Sequence, residues 1–144
     1  YHHSKLVVLI RSRRCGTNNM THEQATKLIE LYGQAWTKRD AELILGVFTP
    51  EATYFDPAEG EVRGHAGIKK YWEDKVIASQ QDIQFKLLNV WVDSETVIAE
   101  WEAHFLDTKR QLNIAMTEVA IFGVDGDRFS SLREYYRSTK TPVK

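Results

Sequence analysis

The sequence has a single cysteine, no excess of charge and no long apolar run, and each shortage excludes a class of protein. Cys15 alone forms neither an internal disulfide nor a cysteine-based zinc site, so the composition favours a reduced, cytoplasmic setting. The 19 basic and 20 acidic residues leave a net charge of -1, which gives no field to hold a nucleic acid. No apolar run approaches the roughly 20 residues of a membrane span, so we expect no membrane segment.

Motifs for cofactors are missing as well. The chain has no Gly-rich phosphate loop and no cluster of Cys or His, so the sequence predicts no cofactor and no metal. Glu100, Glu102 and His104 alternate along one predicted strand and resemble metal ligands. Because a metal usually draws its ligands from more than one element, we interpret these three as a polar stripe that faces solvent or a second subunit.

What is present indicates one domain with many aromatic residues. A chain of 144 residues buries roughly two thirds of its unfolded surface without disulfides or metals. Its 4 Trp, 6 Tyr and 6 Phe either fill the core or line an apolar pocket. We expect residues 20–144 to form the domain and residues 1–19 to be an appendage. The appendage is either sequence ahead of a natural start at Met20 or an edge strand at Lys5 to Ile10.

The first half of the domain has the apolar spacing of helices. Thr21 and Gln24 have the form of a capping box, and apolar residues then recur at intervals of three and four. This pattern predicts a first helix over residues 21–38. Asp40 is placed to cap a short second helix, and Pro50 is expected to end it.

A β-prone run follows and stops at a proline. The run Thr53 to Phe55 leads to Asp56, and Pro57 then halts strand pairing. A loop with several glycines delivers a third helix, over about 66–79 and beginning as early as Gly64. An acid at the end of a strand can point into a cavity, which makes Asp56 the first candidate for a functional residue.

Beyond residue 82 the apolar period changes from helical to alternating, which predicts an antiparallel meander of four strands. Helices followed by strands indicate an α+β fold, with three helices laid on one face of a curved sheet. The predicted core-facing residues of the first two of these strands are Ile83, Phe85, Leu87, Asn89 and Trp91, then Val97, Ala99, Trp101, Ala103 and Phe105.

Glu118 shares one face of the next strand with Met116, Ala120 and Phe122. If that face turns inward, the loss of water raises the pKa of Glu118 and keeps it protonated. Tyr32, Asp56 and Glu118 would then bring a phenol and two acids together, and such a trio can move a proton. Each residue also has a structural interpretation. Tyr32 can be a core ring, Asp56 a turn acid, and Glu118 the partner of an outer Lys or Arg or of the inner Arg133.

Three stretches carry a family resemblance, which with the order of elements covers residues 24 to about 138. They are Leu-Tyr-Gly-Gln-Ala-Trp-Thr-Lys-Arg-Asp at 31–40, Phe-Thr-Pro-Glu-Ala-Thr-Tyr-Phe-Asp-Pro at 48–57 and Gly-His-Ala-Gly-Ile at 64–68. They resemble the nuclear transport factor 2-like superfamily, and within it the SnoaL-like proteins and the ketosteroid isomerases. The resemblance implies a cone of curved sheet and helices around an apolar pocket.

The resemblance also implies roles for the three candidates. Tyr32 falls where the isomerases keep an oxyanion-hole tyrosine, Asp56 where they keep the general base, and Glu118 where they keep a protonated aspartate. The implied partners are a small hydrophobic molecule of steroid or polyketide size and a second copy in a homodimer. The expected ligand-binding residues are Trp36, Tyr54, Tyr71, Trp72, Trp101, Ala103, Phe105, Met116 and Ala120.

The chain departs from its relatives at two places. Position 118 holds Glu rather than Asp, and Tyr136 is followed by Arg137, where many SnoaL-like proteins have Asp. Epoxide hydrolases of this fold set a tyrosine and a polar residue of the first strand against an Arg-Asp-Asp group. The departures weaken the epoxide hydrolase interpretation and leave a cyclase without one of its commoner acids. From the resemblance as a whole we expect a ligand-binding cone protein that acts as a cofactor-independent isomerase or cyclase. The alternative is a noncatalytic ligand-binding or association module.

Overall fold

The computed structural model describes residues 20–144, so the predicted appendage of residues 1–19 lies outside the described residues. Three helices accompany six strands. The helices are α1 (His22–Lys38), α2 (Ala41–Leu45) and α3 (Gly64–Trp72), which continues as a π-helical turn (Glu73–Ile77). The strands are β1 (Phe48–Asp56), β2 (Gly60–Arg63), β3 (Gln80–Asp93), β4 (Thr96–Asp107), β5 (Leu112–Asp125) and β6 (Arg128–Pro142).

The six strands form one sheet in the order β2-β1-β6-β5-β4-β3. Strands β3 to β6 are the predicted antiparallel meander. Strand β1 pairs parallel to β6, so a strand from the first half of the chain lies beside the last one. Helix α1 packs against β3 and α3 against β1, which confirms the α+β arrangement of helices on a sheet.

Helix α1 begins as the capping box predicts. The Gln24 backbone N–H donates to the Thr21 hydroxyl at 3.1 Å, and the Thr21 N–H donates to Gln24 Oε1 at 2.9 Å. Gly33 lets this helix approach the sheet, because a Cβ at that position would overlap the Phe85 ring. The buried face of α1 consists of Ala25, Ile29, Tyr32, Gly33, Ala35 and Trp36.

The predicted end of the second helix at Pro50 is wrong. Asp40 caps α2 as predicted, but the helix stops at Leu45 and Pro50 lies inside β1. The pairing of β1 with β6 is irregular between Phe48 and Thr53. Proline has no backbone N–H to donate, and Pro50 is tolerated here because this part of β1 forms no regular ladder of hydrogen bonds.

The predicted inward face of β3 is wrong beyond Leu87. The register of β3 against β4 shifts between Leu87 and Asn89, and this bulge moves the following side chains to the opposite face. Trp91 is therefore 51% exposed, whereas Val90 and Val92 pack against the core. A regular alternation cannot anticipate an inserted residue.

The inward faces of β4 and β5 match the prediction. Val97, Ala99, Trp101 and Ala103 are buried on β4, and Glu118, Ala120 and Phe122 are buried on β5. The third helix begins at Gly64, the earlier of the predicted starts. The short strand β2 was not predicted. Between residues 20 and 144 no helix has the length and apolar character needed to cross a membrane.

Candidate active site

A cavity of about 550 Å³ lies between the helices and the inner face of the sheet. Its inner end, defined here as the buried residues Tyr32, Tyr54, Asp56, Glu118 and Glu134, contains three acids and two phenols. Its mouth is more exposed. We define the mouth by its charged pairs and lysines, which are Glu59, Lys75, Asp107, Lys109, Arg110 and Lys140. The two ends of the cavity therefore differ in chemistry.

Asp56 ends β1 and accepts three hydrogen bonds. Its Oδ1 accepts from the Ala58 backbone N–H at 2.8 Å and from the Tyr136 hydroxyl at 2.8 Å. Its Oδ2 accepts from the Tyr71 hydroxyl and keeps a lone pair available for a ligand. The sequence left two interpretations of Asp56, an acid that stabilises a turn and an acid that faces a cavity. The structure shows that Asp56 does both.

Burial raises the pKa of the two phenols that hold Asp56. For Tyr71 the neighbouring Tyr54, Glu134 and Asp56 groups raise it further, and for Tyr136 the hydrogen bond to Asp56 does so. Both hydroxyls thus stay protonated and remain donors at neutral pH. The carboxylate of Asp56 is held from two elements, since Tyr71 comes from α3 and Tyr136 from β6.

Tyr32 and Tyr54 converge on an acid that the sequence reasoning missed. Their hydroxyls donate to Glu134 Oε1 at 2.8 and 3.0 Å and lie 3.0 Å apart. The Tyr32 ring is packed in the core, with its centroid 5.8 Å from that of Trp72. Tyr32 therefore combines the core role with a polar contact, but its hydroxyl is bound to Glu134 and is not free in the cavity.

Glu118 faces inward and is 2% exposed. Among residues 20–144 neither Glu118 nor Glu134 takes part in a salt bridge, so the outer cation partner and the Arg133 partner are both absent for Glu118. Arg133 is exposed on the other face of β6. Desolvation of an acid buried without a cation favours its neutral form, and hydrogen bonds donated to the carboxylate oppose this effect.

The protonation states at the inner end follow from this burial. Burial raises the pKa of Glu118 well above its ordinary value, and the charge of the nearby Glu134 raises it further. Burial and the charge of Asp56 raise the pKa of Glu134 to about 7, against the lowering effect of hydrogen bonds from Tyr32, Tyr54 and Glu118. At neutral pH Glu118 is therefore a protonated acid, next to a Glu134 that is close to half ionised.

The acids at the mouth have cationic partners. Asp107 Oδ2 accepts from Arg110 Nε at 2.7 Å, and its Oδ1 accepts from the backbone N–H groups of Lys109 and Arg110, each at 3.1 Å. Glu59 pairs with Lys75 at 2.5 Å. These acids are neutralised locally, in contrast to the three acids at the inner end.

The cavity brings together most of the predicted site residues. Tyr32, Asp56 and Glu118 all line it, and so do six of the nine expected ligand-binding residues, namely Trp36, Tyr54, Tyr71, Trp72, Phe105 and Met116. The other three are Trp101, Ala103 and Ala120, which are buried in the core behind the cavity wall and do not line it. Six of the expected residues therefore line the cavity and three lie behind its wall, and their role in ligand binding stays a prediction.

Two polar residues of β6 are new to the site. Glu134 and Tyr136 follow Leu132 at intervals of two, and all three face inward. The sequence contains a pattern that predicts this inward face. Leu132, Glu134 and Tyr136 alternate with Arg133, Tyr135 and Arg137, which lie on the other face of β6. Glu134 and Glu118 come from adjacent antiparallel strands, where Glu118 pairs with Tyr136 and Ala120 pairs with Glu134.

Comparison with known families bears on this arrangement. The SnoaL-like domain matches residues 29–132, which include the second half of α1, all of β1 and the cavity acid Glu118. The chain belongs to the SnoaL-like domain family. Comparison of this SnoaL-like domain with curated proteins gives no match.

Solved structures share the fold of this SnoaL-like domain. A nuclear transport factor 2-like protein from Anabaena variabilis is 23% identical with a TM-score of 0.72, over 83% of this chain and 96% of that one. A candidate isomerase from Bacillus subtilis is 17% identical with a TM-score of 0.72, over 82% and 90%. A candidate SnoaL-like polyketide cyclase from Shewanella putrefaciens is 16% identical with a TM-score of 0.68, over 81% and 91%. At these identities the similarity concerns the fold.

Proposed function

We propose that this SnoaL-like domain is a cofactor-independent isomerase or cyclase that moves a proton on a small apolar carbonyl compound. The observation that carries the proposal is the presence of two differently held acids in one cavity. Asp56 contacts only donors and has a free lone pair, whereas Glu118 is buried, without a cation and protonated. Two carboxyl groups held in such different surroundings can serve as base and acid.

In the proposed reaction Asp56 Oδ2 takes a proton from the carbon next to the carbonyl group. Glu118 donates a hydrogen bond to the carbonyl oxygen as negative charge develops there. Asp56 then returns the proton to another carbon of the same molecule, which completes an isomerisation. Tyr71 and Tyr136 hold Asp56 in place throughout. Tyr32, expected to contact the oxygen, acts here through Glu134 instead.

The cavity suits a ligand of this class. Its volume of about 550 Å³ falls within the roughly 300–1,000 Å³ of small-molecule pockets. Trp36, Phe105 and Met116 supply apolar wall, and the polar groups are concentrated at one end. The structural neighbours from B. subtilis and S. putrefaciens are described as a candidate isomerase and a candidate cyclase, which supports the same class of chemistry.

The test is proton exchange on a panel of apolar ketones, measured by deuterium incorporation as a function of pH. We expect the parent to exchange and Asp56→Asn to lose roughly 10²–10⁴ of the rate. Asp74→Asn is the matched control, because Asp74 also lines the cavity but is exposed and pairs with Lys70. Equal exchange rates in the parent and Asp56→Asn would contradict the role of Asp56.

One observation favours the second candidate function, a noncatalytic ligand-binding protein. The hydroxyls of Tyr32 and Tyr54 are already engaged with Glu134, so fewer donors face the ligand than an oxyanion hole with a tyrosine would offer. Negligible exchange in every variant, together with a small molecule recovered by solvent extraction of the purified protein, would select this function. An open cavity and acids outside salt bridges argue against a purely associative role for residues 20–144.

We also propose a homodimer through the outer face of the sheet. Val119 and Tyr135 are direct cross-strand partners there, 38% and 45% exposed, and the Tyr135 ring lies 6.3 Å from that of Phe55. Such a patch is apolar enough to be covered by a second copy. Light scattering should give twice the chain mass for the parent and a monomer for Val119→Lys. A monomeric parent would refute the dimer.

A further inference from the structure

Glu118 and Glu134 form a pair of carboxyl groups inside the fold. They lie on the inner faces of adjacent strands, two residue pairs out of register, which makes them diagonal neighbours. Both are at least nine-tenths buried, with exposures of 2% and 5%.

The surroundings of the pair supply hydrogen bonds but no positive charge. The titratable groups that face it are Tyr32 from α1, Tyr54 and Asp56 from β1, Tyr71 from α3 and Tyr136 from β6. Tyr32 and Tyr54 both donate to Glu134 Oε1. Within residues 20–144, Glu118 Oε2 is buried and meets no donor. A proton makes Glu118 a donor, and its diagonal neighbour Glu134 is a carboxyl group able to accept from it.

We propose that Glu134 is a positioning residue that holds the working proton on Glu118, so that the two carboxyl groups act as one acid–carboxylate pair sharing a single proton. Tyr32 and Tyr54 bind the Glu134 side of the pair and fix which partner carries the charge. Glu118 carries the proton, and its O–H turns from Glu134 to the carbonyl oxygen of a ligand when that ligand binds. This inference rests on the proposed function, because Glu118 is the proton donor there.

The direction of the effect is fixed by electrostatics. Two carboxyl groups that share a buried site do not both ionise readily, so the charge on one raises the pKa of the other. The charge of Glu134 raises the pKa of Glu118 in this way. When Glu134 is made neutral, Glu118 loses this effect and gives up its proton at lower pH. A Gln at position 134 keeps an oxygen for Tyr32 and Tyr54, so it removes the charge with little change of shape.

The test is a ¹³C NMR titration of the protein labelled at the Glu carboxyl carbon, without any ligand. Glu118→Gln and Glu134→Gln assign the two resonances. In the parent we expect Glu118 to remain protonated above neutral pH and Glu134 to titrate near neutral pH. In Glu134→Gln the midpoint of Glu118 should fall by about one pH unit or more, which is roughly tenfold in proton concentration. An unchanged Glu118 midpoint in a folded Glu134→Gln protein would overturn the proposal.

Two further variants keep the result interpretable. Glu134→Asp keeps the negative charge and should retain most of the raised Glu118 midpoint, so a fall as large as in Glu134→Gln would also contradict the proposal. Glu102→Gln, at an exposed position on the outer face of β4, should leave both midpoints unchanged. Near-ultraviolet circular dichroism verifies the fold of each variant.

Kinetics give a second readout that a merely structural role would not move. If exchange on ketones is observed, Glu134→Gln should shift the alkaline limb of its pH profile downward by the same amount as the Glu118 midpoint, with the rate at lower pH retained. Uniform loss of rate at every pH would contradict the positioning role. If no variant exchanges protons, the proposed function fails, whereas the NMR titration still decides the pairing of Glu118 with Glu134.

Discussion

Two ends of one cavity treat buried acids in opposite ways. Asp107 at the mouth is only 9% exposed, and this burial raises its pKa, but the hydrogen bonds and charge of Arg110 outweigh burial and leave the pKa below its ordinary value. Glu134 at the inner end is 5% exposed and has phenols instead of a cation, so burial prevails and its pKa is raised. Lighter desolvation and a cation therefore keep Asp107 charged at the mouth, whereas deep burial among phenols gives Glu134 a raised pKa at the inner end.

The largest expected effect is the pH dependence that the inner end gives to stability. Glu134 has a folded pKa of about 7 against an ordinary 4.5, so its contribution to stability is complete below the unfolded pKa and is lost as pH rises through 7. We expect the free energy of unfolding to fall by on the order of 2–3 kcal/mol between pH 5 and pH 8. Urea unfolding across this range measures it. Glu134→Gln should reduce the slope, and equal slopes in both proteins would refute the assignment.

Removal of one phenol at the inner end should destabilise the protein more at high pH than at low pH. Tyr54→Phe takes one donor from Glu134, and the loss matters most when Glu134 is ionised. We expect the variant to lose about 1–3 kcal/mol of unfolding free energy at pH 8 and less at pH 5. Thr96→Val, which removes a hydroxyl at an exposed position of β4, is the control. A loss that is larger at pH 5 than at pH 8 would mean that Tyr54 does not serve the Glu134 carboxylate.

At the mouth the sign of the pH dependence reverses. Arg110→Gln removes the cation from Asp107, while two backbone N–H donors remain. We expect a loss of about 1 kcal/mol or less at neutral pH. Because the pKa of Asp107 is lowered, the stabilisation exists above its ordinary pKa and disappears as pH falls. Denaturant unfolding at pH 7 and in acid, with Arg137→Gln as control, tests this. A cost that persists unchanged in acid would be inconsistent with the ion pair.

The smallest effect is expected for the lysines of the mouth. Lys109 and Lys140 line the cavity but are exposed. Lys109→Gln and Lys140→Gln should change the unfolding free energy by less than about 0.5 kcal/mol at any pH between 5 and 8. Thermal unfolding at several pH values measures this, with the parent as reference. A clear pH-dependent loss would show that the mouth, like the inner end, depends on protonation.

Much of the fold follows from periodicity in the sequence. The helix at 21–38 and the strands that carry Trp101 and Glu118 have long, regular patterns, because each buries one face against the same core. The pairing of β1 with β6 cannot be predicted from periodicity, because no local pattern indicates which distant strand will lie next to β1. The bulge near Asn89 interrupts the regular alternation of β3 at one residue, and Pro50 lies within a strand, where proline is unusual, so neither was predicted.

The candidate site was predictable where a residue sits at a structural boundary or among apolar neighbours. Asp56 ends a strand, and Glu118 shares its face with Ala120 and Phe122. Glu134 was not found, because the family resemblance directs attention to the end of the last strand, where it implies an Asp after the aromatic residues. The state of the acids depends on contacts between strands that are far apart in sequence. The boundary between appendage and domain at residue 20 stays a prediction.

The parallel pairing of β1 with β6 also has a consequence for synthesis. Tyr54 and Glu134, like Asp56 and Tyr136, are 80 positions apart in the chain, yet they hydrogen-bond directly. Closing a loop of this length has a large entropic cost that later contacts must offset, so the inner end should be among the last parts to form. On a translating ribosome, the helices and β1 emerge well before β6. The cavity of a nascent chain is therefore incomplete until strand β6 has left the exit tunnel.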